Sequence, residues 1–238
     1  MNMNQKNSDK TLPTKRSWLI LIISTLIPTV SIVLTFAIAT IIKGSSQDGE
    51  FSIYSPAFAI GVLISHSLIF LILYKYLRKN QLDLKDIYWK LNSEQTWWKE
   101  IVFGLILGLI LYLFKEFVID SMRALANGNQ PTFHSLFNFN FNSEKWYPLI
   151  IIPLVFVEES VFRGFTYRTF KGRYSTFSIL IISSLFFGLI HVGNGLDALI
   201  FTTIMGGLFF GIFLSSKNLW RPYFAHMLYN ILIIFTSS

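Results

Sequence analysis

Residues 146–167 read WYPLIIIPLVFVEESVFRGFTY. The stretch is long enough for a hydrocarbon core about 30 Å thick, which takes about 20 apolar residues as a helix. Its first half is apolar, and its second half holds Glu158, Glu159 and Arg163. A charge at the centre of a span costs about 2.5–3.5 kcal/mol on insertion scales, so three unpaired charges cost on the order of 8–10 kcal/mol. Part of that cost cancels locally. Glu159 and Arg163 stand four apart, on one helix face and in the favourable acid-before-base order. Glu158 is rotated about 100° from Glu159 and has no partner on its own helix. A buried ion pair that fixes helix register therefore accounts for two of the charges and leaves Glu158 unexplained.

The rest of the chain supports a membrane reading of this stretch. It has 238 residues, 53% hydrophobic and 14% charged, with a mean hydropathy of +0.52. A soluble domain carries about 25% charged residues, so charge this sparse, beside 24 Phe, argues against a water-facing surface. The sequence has no cysteine, which removes disulfides, a thiol nucleophile and Cys-ligated metal. The net charge of +7 lies between apolar runs rather than in a patch, which fits membrane topology and not nucleic-acid binding.

Seven spans are expected, at residues 17–42, 51–74, 97–119, 146–167, 174–196, 198–216 and 222–235, forming an all-α polytopic bundle. Residues 1–17 are expected as a tail, residues 18–238 as a single transmembrane domain, and residues 146–235 as its chemical core. Ala37-Ile38-Ala39 raises the question of a signal peptide, but the apolar stretch around it far exceeds an h-region of about 7–15 residues. Asn127 to Lys145, with its Phe/Asn alternation, reads as a loop or an interfacial segment.

Lys and Arg set the orientation. With the amino terminus inside, fifteen fall in inner segments and four in outer ones, while Arg163 lies within a span. That asymmetry places the amino terminus in the cytoplasm and, with an odd number of spans, the carboxyl terminus outside.

Two further spans bring polar groups to the interior. Phe187-Gly188-Leu189-Ile190-His191 puts a histidine in an otherwise apolar fifth helix. His226-Met227-Leu228-Tyr229-Asn230 puts an imidazole and a carboxamide on one face of the last. Singly, each histidine reads as a hydrogen-bonded interior residue. His66 in the second span is read that way, since no polar residue accompanies it, and His134 as a loop residue. Three spans that each carry acidic, imidazole or amide groups instead form a buried polar site with a base, hydrogen-bond donors and room for water.

The order Glu-Glu-x-x-x-Arg, Phe-x-x-x-His, His-x-x-x-Asn resembles the CPBP family of intramembrane proteases. That family groups CAAX prenyl-protein endopeptidases with bacteriocin-processing and immunity proteins, and is also called the abortive-infection family. Glu158, Glu159 and Arg163 match the first motif, Phe187 and His191 the second, and His226 and Asn230 the third. Leu219-Trp220-Arg221-Pro222 resembles the family's approach to its last motif. The resemblance implies hydrolysis of a peptide bond within the membrane, with Glu158 activating water and His191, His226 and Asn230 near the substrate carbonyl. It also implies a peptide or protein substrate that meets the bilayer. Richness in Ile, Phe, Asn and Lys suggests an AT-rich, bacterial genome and hence a bacterial plasma membrane, where a bacteriocin, peptide-maturation or immunity role is more natural than a prenylated substrate.

Two chemistries stay open at this stage. Burial suits Glu158 to act as a base without a metal, with Asn230 and a histidine donating to an oxyanion. Alternatively Glu158, His191 and His226 form a His₂Glu set for zinc, although the His-Glu-x-x-His helix that would make zinc the default is absent. No Gly-x-Ser-x-Gly element points to a serine enzyme. A transporter or proton relay would also place Glu, His and Arg in spans, but no pair of related halves is visible. A non-catalytic scaffold is the remaining alternative. Counted from the inner helix ends at about 1.5 Å per residue, Glu158 lies about 15 Å deep, His226 about 9 Å and His191 about 25 Å.

Overall fold

The computed structural model describes residues 12–43, 56–91, 95–125 and 147–236. The loop after the first span and the Asn127–Lys145 segment with His134 lie outside these residues. Seven long helices run through the described chain: α1 (Thr14–Lys43), α2 (Pro56–Lys79), α3 (Trp97–Leu125), α4 (Tyr147–Glu158), α5 (Thr176–Leu189), α6 (Leu196–Ser216) and α7 (Trp220–Thr236). The helix of α4 continues as a π-helical segment, Glu159–Phe165, and a last turn, Thr166–Phe170. Among the described residues there is no strand, and the architecture is the all-α membrane bundle expected.

The surface is apolar and much of the interior is polar. On α1, Leu19, Leu26, Val30, Val33 and Leu34 are exposed, while Ser17, Ser24 and Thr25 are buried. On α2, Ile60, Ile64, Leu68 and Leu71 face outward, while Ser65 and His66 are buried. Water does not tolerate contiguous apolar surface of this extent, whereas lipid does, and in lipid buried polar groups bond between or within helices. Two helices, Ala59–Lys79 and Ala198–Ser216, are long and apolar enough to cross a membrane by length and composition.

Successive helices run in alternate directions, because one end of the bundle collects the starts of the odd-numbered helices and the ends of the even-numbered ones. Ser17 Oγ lies 3.1 Å from Tyr76 Oη, and the Trp18 and Phe170 rings are 4.6 Å apart. Gln95 donates to the Ser216 carbonyl at 2.7 Å, and Lys217 Nζ donates to Tyr167 Oη at 3.0 Å. The 3₁₀ turn Leu84–Ile87 folds into this end, with Ile87 and Trp89 buried. A Cβ on Gly164 would lie 2.4 Å from the Ile87 carbonyl oxygen, so only glycine permits that approach. Burial, with Tyr167 beside it, pushes the Tyr88 phenol up to about 12 against the opposing pull of Arg168.

The fifth helix departs from expectation. It stops at Leu189, well short of the expected Leu196, and is about 21 Å long at 1.5 Å per residue. A 3₁₀ turn, Val192–Asn194, follows and is capped by Gly195 at φ 110°. Glycine at positive φ ends regular helix without steric cost. His191 is therefore presented by the turn beyond the helix and not from a helix interior.

Candidate active site

Helix α4 lies centrally, packed against α2 and α7, with its π segment against α5 and α1. Segments of π-helix are rare and often mark functional sites, because the wide turn frees carbonyls and re-aims side chains. Here the loosened carbonyls have partners. Thr166 Oγ1 donates to the Val161 carbonyl at 2.9 Å and Ser183 Oγ of α5 to the Phe162 carbonyl at 2.5 Å. Ser160 Oγ donates to the Phe156 carbonyl at 2.7 Å and accepts from Trp89 Nε1 at 2.8 Å.

The two adjacent carboxylates occupy different surroundings. Glu159 is wholly buried, with Oε1 lying 3.2 Å from Arg163 Nη1. The Arg163 guanidinium, also wholly buried, stands 4.2 Å from the Phe187 ring centroid and 5.5 Å from that of Phe209. Its Nη2 lies 3.4 Å from the Gly206 carbonyl oxygen. Cation and anion thus neutralise each other in a shell of aromatic faces. Glu158 keeps a little accessible surface, 8%, and has no guanidinium within pairing distance among the described residues. Its Oε2 lies 3.7 Å from His226 Nε2 and its Oε1 lies 3.4 Å from His66 Nε2.

His226 is fixed on three sides. Its Nδ1 lies 2.9 Å from Glu159 Oε1, its ring stacks on Phe209 at 4.4 Å, and Phe187 meets it edge-on at 5.5 Å. The helix carrying it is fixed as well. Asn218 Oδ1 accepts from the Trp220 and Arg221 amides at 3.0 and 3.2 Å, an N-cap of the usual kind. Arg221 clasps the buried Glu100 of α3 with Nε and Nη2, both at 2.9 Å. Helices α3 and α7 then touch through Gly104 and Gly108. A Cβ on Gly108 would lie 2.5 Å from the Ala225 carbonyl oxygen, and one on Gly104 would lie 2.7 Å from Phe224 Cβ. That is the close approach that Gly-x-x-x-Gly allows between membrane helices, and the residue after Ala225 is His226.

The structure brings Glu158, Glu159, Arg163 and His226 into one group. His191 stands one ring away, its centroid 5.1 Å from that of Phe187, with its Nδ1 on the Phe187 carbonyl at 3.0 Å. It remains within electrostatic reach of Glu158. Asn230 lies a turn beyond His226 on α7, half-buried. By its sequence His66 reads as a hydrogen-bonded interior residue. In the fold its polar neighbour is Glu158, 92 residues later, and no local pattern in α2 signals that. The signal that was available and passed over is Gly104-x-x-x-Gly108.

Among the described residues no three His, Asp or Glu side chains are grouped so as to hold a metal ion.

Comparison with known proteins bears on the same part of the chain. Residues 142–232 match the family described as type II CAAX prenyl endopeptidase Rce1-like. These residues carry the likeness to that family. They contain all three motifs on which the CPBP resemblance rests. A Bacillus subtilis (strain 168) protein named "Putative membrane peptidase YdiL" is 32% identical over 91 residues, which are 37% of this chain and 36% of that protein. The chain thus covers little more than a third of the curated relative's length. No solved structure matches. The Rce1-like segment spans α4 to α7 and supplies Glu158, Glu159, Arg163, His191, His226 and Asn230, whereas His66 comes from outside it.

Proposed function

We propose that this chain is an intramembrane endopeptidase that hydrolyses a peptide bond of a membrane-associated peptide or protein, with Glu158 as the base that activates water. The observation that carries the reading is the contrast between the two carboxylates. Glu159 is engaged by Arg163 and His226, while Glu158 has, among the described residues, only imidazole Nε2 atoms beside it and retains some access. A base must be within reach of the proton it takes and free of a permanent counter-ion, which describes Glu158 and excludes Glu159.

His226 donates through Nδ1 to the Glu159 carboxylate, an acceptor only, which leaves Nε2 directed at Glu158. The gap of 3.7 Å between Nε2 and Oε2 is too long for a direct hydrogen bond and suits a group that enters between them. Glu158 takes the proton of the attacking water, the oxygen adds to the scissile carbonyl, and the leaving amine receives that proton as the bond breaks. Asn230 and His191 are assigned to the side of the developing oxyanion, where donors in a dry site are most effective.

The chain would form one transmembrane domain of seven spans in a bacterial plasma membrane, with a cytoplasmic amino terminus and its peptidase core at about residues 146–235. The membrane-peptidase name of the relative and the Rce1-like match support this reading, as does the apolar exterior. The test is cleavage of a quenched peptide library by purified protein in lipid vesicles, wild type beside Glu158→Gln. Turnover that survives in the variant at more than about a hundredth of wild type removes Glu158 as base.

A further inference from the structure

Helix α2 lies outside the Rce1-like segment, yet it delivers a buried imidazole to the Glu158 carboxylate. His66 is 6% exposed. Its Nδ1 lies 2.9 Å from the Val62 carbonyl oxygen and 3.4 Å from Ser65 Oγ, and its Nε2 lies 3.4 Å from Glu158 Oε1. Carbonyl and carboxylate oxygens only accept, so the ring meets both contacts as a donor only when both nitrogens carry hydrogen, Nδ1 toward Val62 and Nε2 toward Glu158, and its orientation is set by its own helix. The atom left for Glu158 is then Nε2. The carboxylate is thereby divided: Oε1 is against His66 and Oε2 faces His226 across the wider gap.

We infer that His66 is a positioning residue that holds Glu158 through Oε1 and so makes Oε2 the oxygen that receives the proton of water. The inference rests on the peptidase reading above and adds to it a residue from the amino-terminal half of the bundle. A carboxylate swings about its terminal torsion with little resistance, because that torsion is broad. Fixing one oxygen aims the other, and misplacement by about 1 Å can cost about a hundredfold in rate.

Two substitutions separate the ring's two nitrogens. In His66→Asn the amide reaches the position of Nδ1, so it can satisfy Val62 but not Glu158. In His66→Gln the amide reaches the position of Nε2 and can still donate to Oε1. His66→Asn is expected to lower kcat about tenfold or more with KM changed by less than about twofold, and His66→Gln to recover kcat to within about threefold of wild type. An Asn variant with wild-type kcat overturns the inference, and so does a Gln variant no better than the Asn one. A second readout needs no activity. The chain has four histidines, and in protein labelled with ¹⁵N-histidine the imidazole signals that His66→Gln removes should shift in Glu158→Gln. Unshifted signals overturn the contact. Shifted signals in a preparation whose wild type cleaves no peptide keep the contact and remove the peptidase reading instead.

Discussion

His226 and Glu159 are joined by a 2.9 Å contact between Nδ1 and Oε1, and that contact makes the fully buried carboxylate a support for the His226 imidazole. Glu158 and Glu159 are neighbours in sequence with opposite tasks, so their amide variants should differ in kind. Glu158→Gln keeps shape but cannot take a proton. It should lower turnover by about 10²–10⁴ with a melting temperature close to wild type. Glu159→Gln leaves the Arg163 guanidinium buried without its anion, which costs about 3–5 kcal/mol, and should lower melting temperature and activity together. Paired thermal melts and peptide-cleavage rates check this. Equal melting temperatures for the two variants would contradict the assignment.

Arg163 draws three helices together, since it pairs with Glu159 of α4, faces Phe187 of α5 and reaches the Gly206 carbonyl of α6. Arg163→Ala is expected to destabilise the bundle by about 3–5 kcal/mol, chiefly through the stranded carboxylate. Arg163→Lys keeps the charge but loses the planar group that lies over the aromatic rings, and should fall between Ala and wild type in denaturation in mixed micelles. A well-folded but inactive Arg163→Ala protein would instead give Arg163 a role at the substrate.

Helix contact at Gly108 is expected to control activity at a distance. A Cβ there would lie 2.5 Å from a backbone oxygen of α7, and backbone cannot yield as a flexible side chain can. Gly108→Leu should push α7 away from α3, displace His226 from Glu158 and abolish cleavage. Gly211→Ala is the matched control, because nothing lies within 4 Å of a Cβ at that position. Cleavage rates of the two variants, with expression in membranes as the measure of folding, decide it.

The fold class and the Glu159–Arg163 pair were legible in the sequence because both depend on local spacing. Apolar run length gives the helices, and a separation of four gives the pair. His66 was not legible, since its meaning depends on α2 packing beside α4, and nothing within α2 reports that neighbour. The end of α5 was misjudged for a different reason. Leu189 to Val192 continues the apolar run, and hydropathy does not register that Gly193 to Gly195 turns the chain. The π segment was also invisible, because Ser183 and Thr166, which satisfy its carbonyls, look like ordinary small residues in apolar helices.

The side of the membrane on which the basic end of the bundle lies can be read directly. Arg168, Lys171 and Arg173 follow α4 at the same end as Trp18, Tyr76, Gln95 and Lys217, so the basic residues of four separate segments share one face. Inner loops carry the excess of Lys and Arg, so this end is expected on the cytoplasmic side. The turn that carries His191 then lies toward the opposite side. The chain has no cysteine, so single cysteines can be read without background. Arg173 and Gly193 are both exposed and lie at opposite ends of α5. Arg173→Cys should resist a membrane-impermeant maleimide in intact cells and react once the cells are opened. Gly193→Cys should react more readily than Arg173→Cys in intact cells, to the extent that water reaches the turn. Labelling of Arg173→Cys in intact cells would invert the topology. Trp89 and the Leu84–Ile87 turn would then lie at the outer end of the bundle, and the turn that carries His191 at the cytoplasmic end.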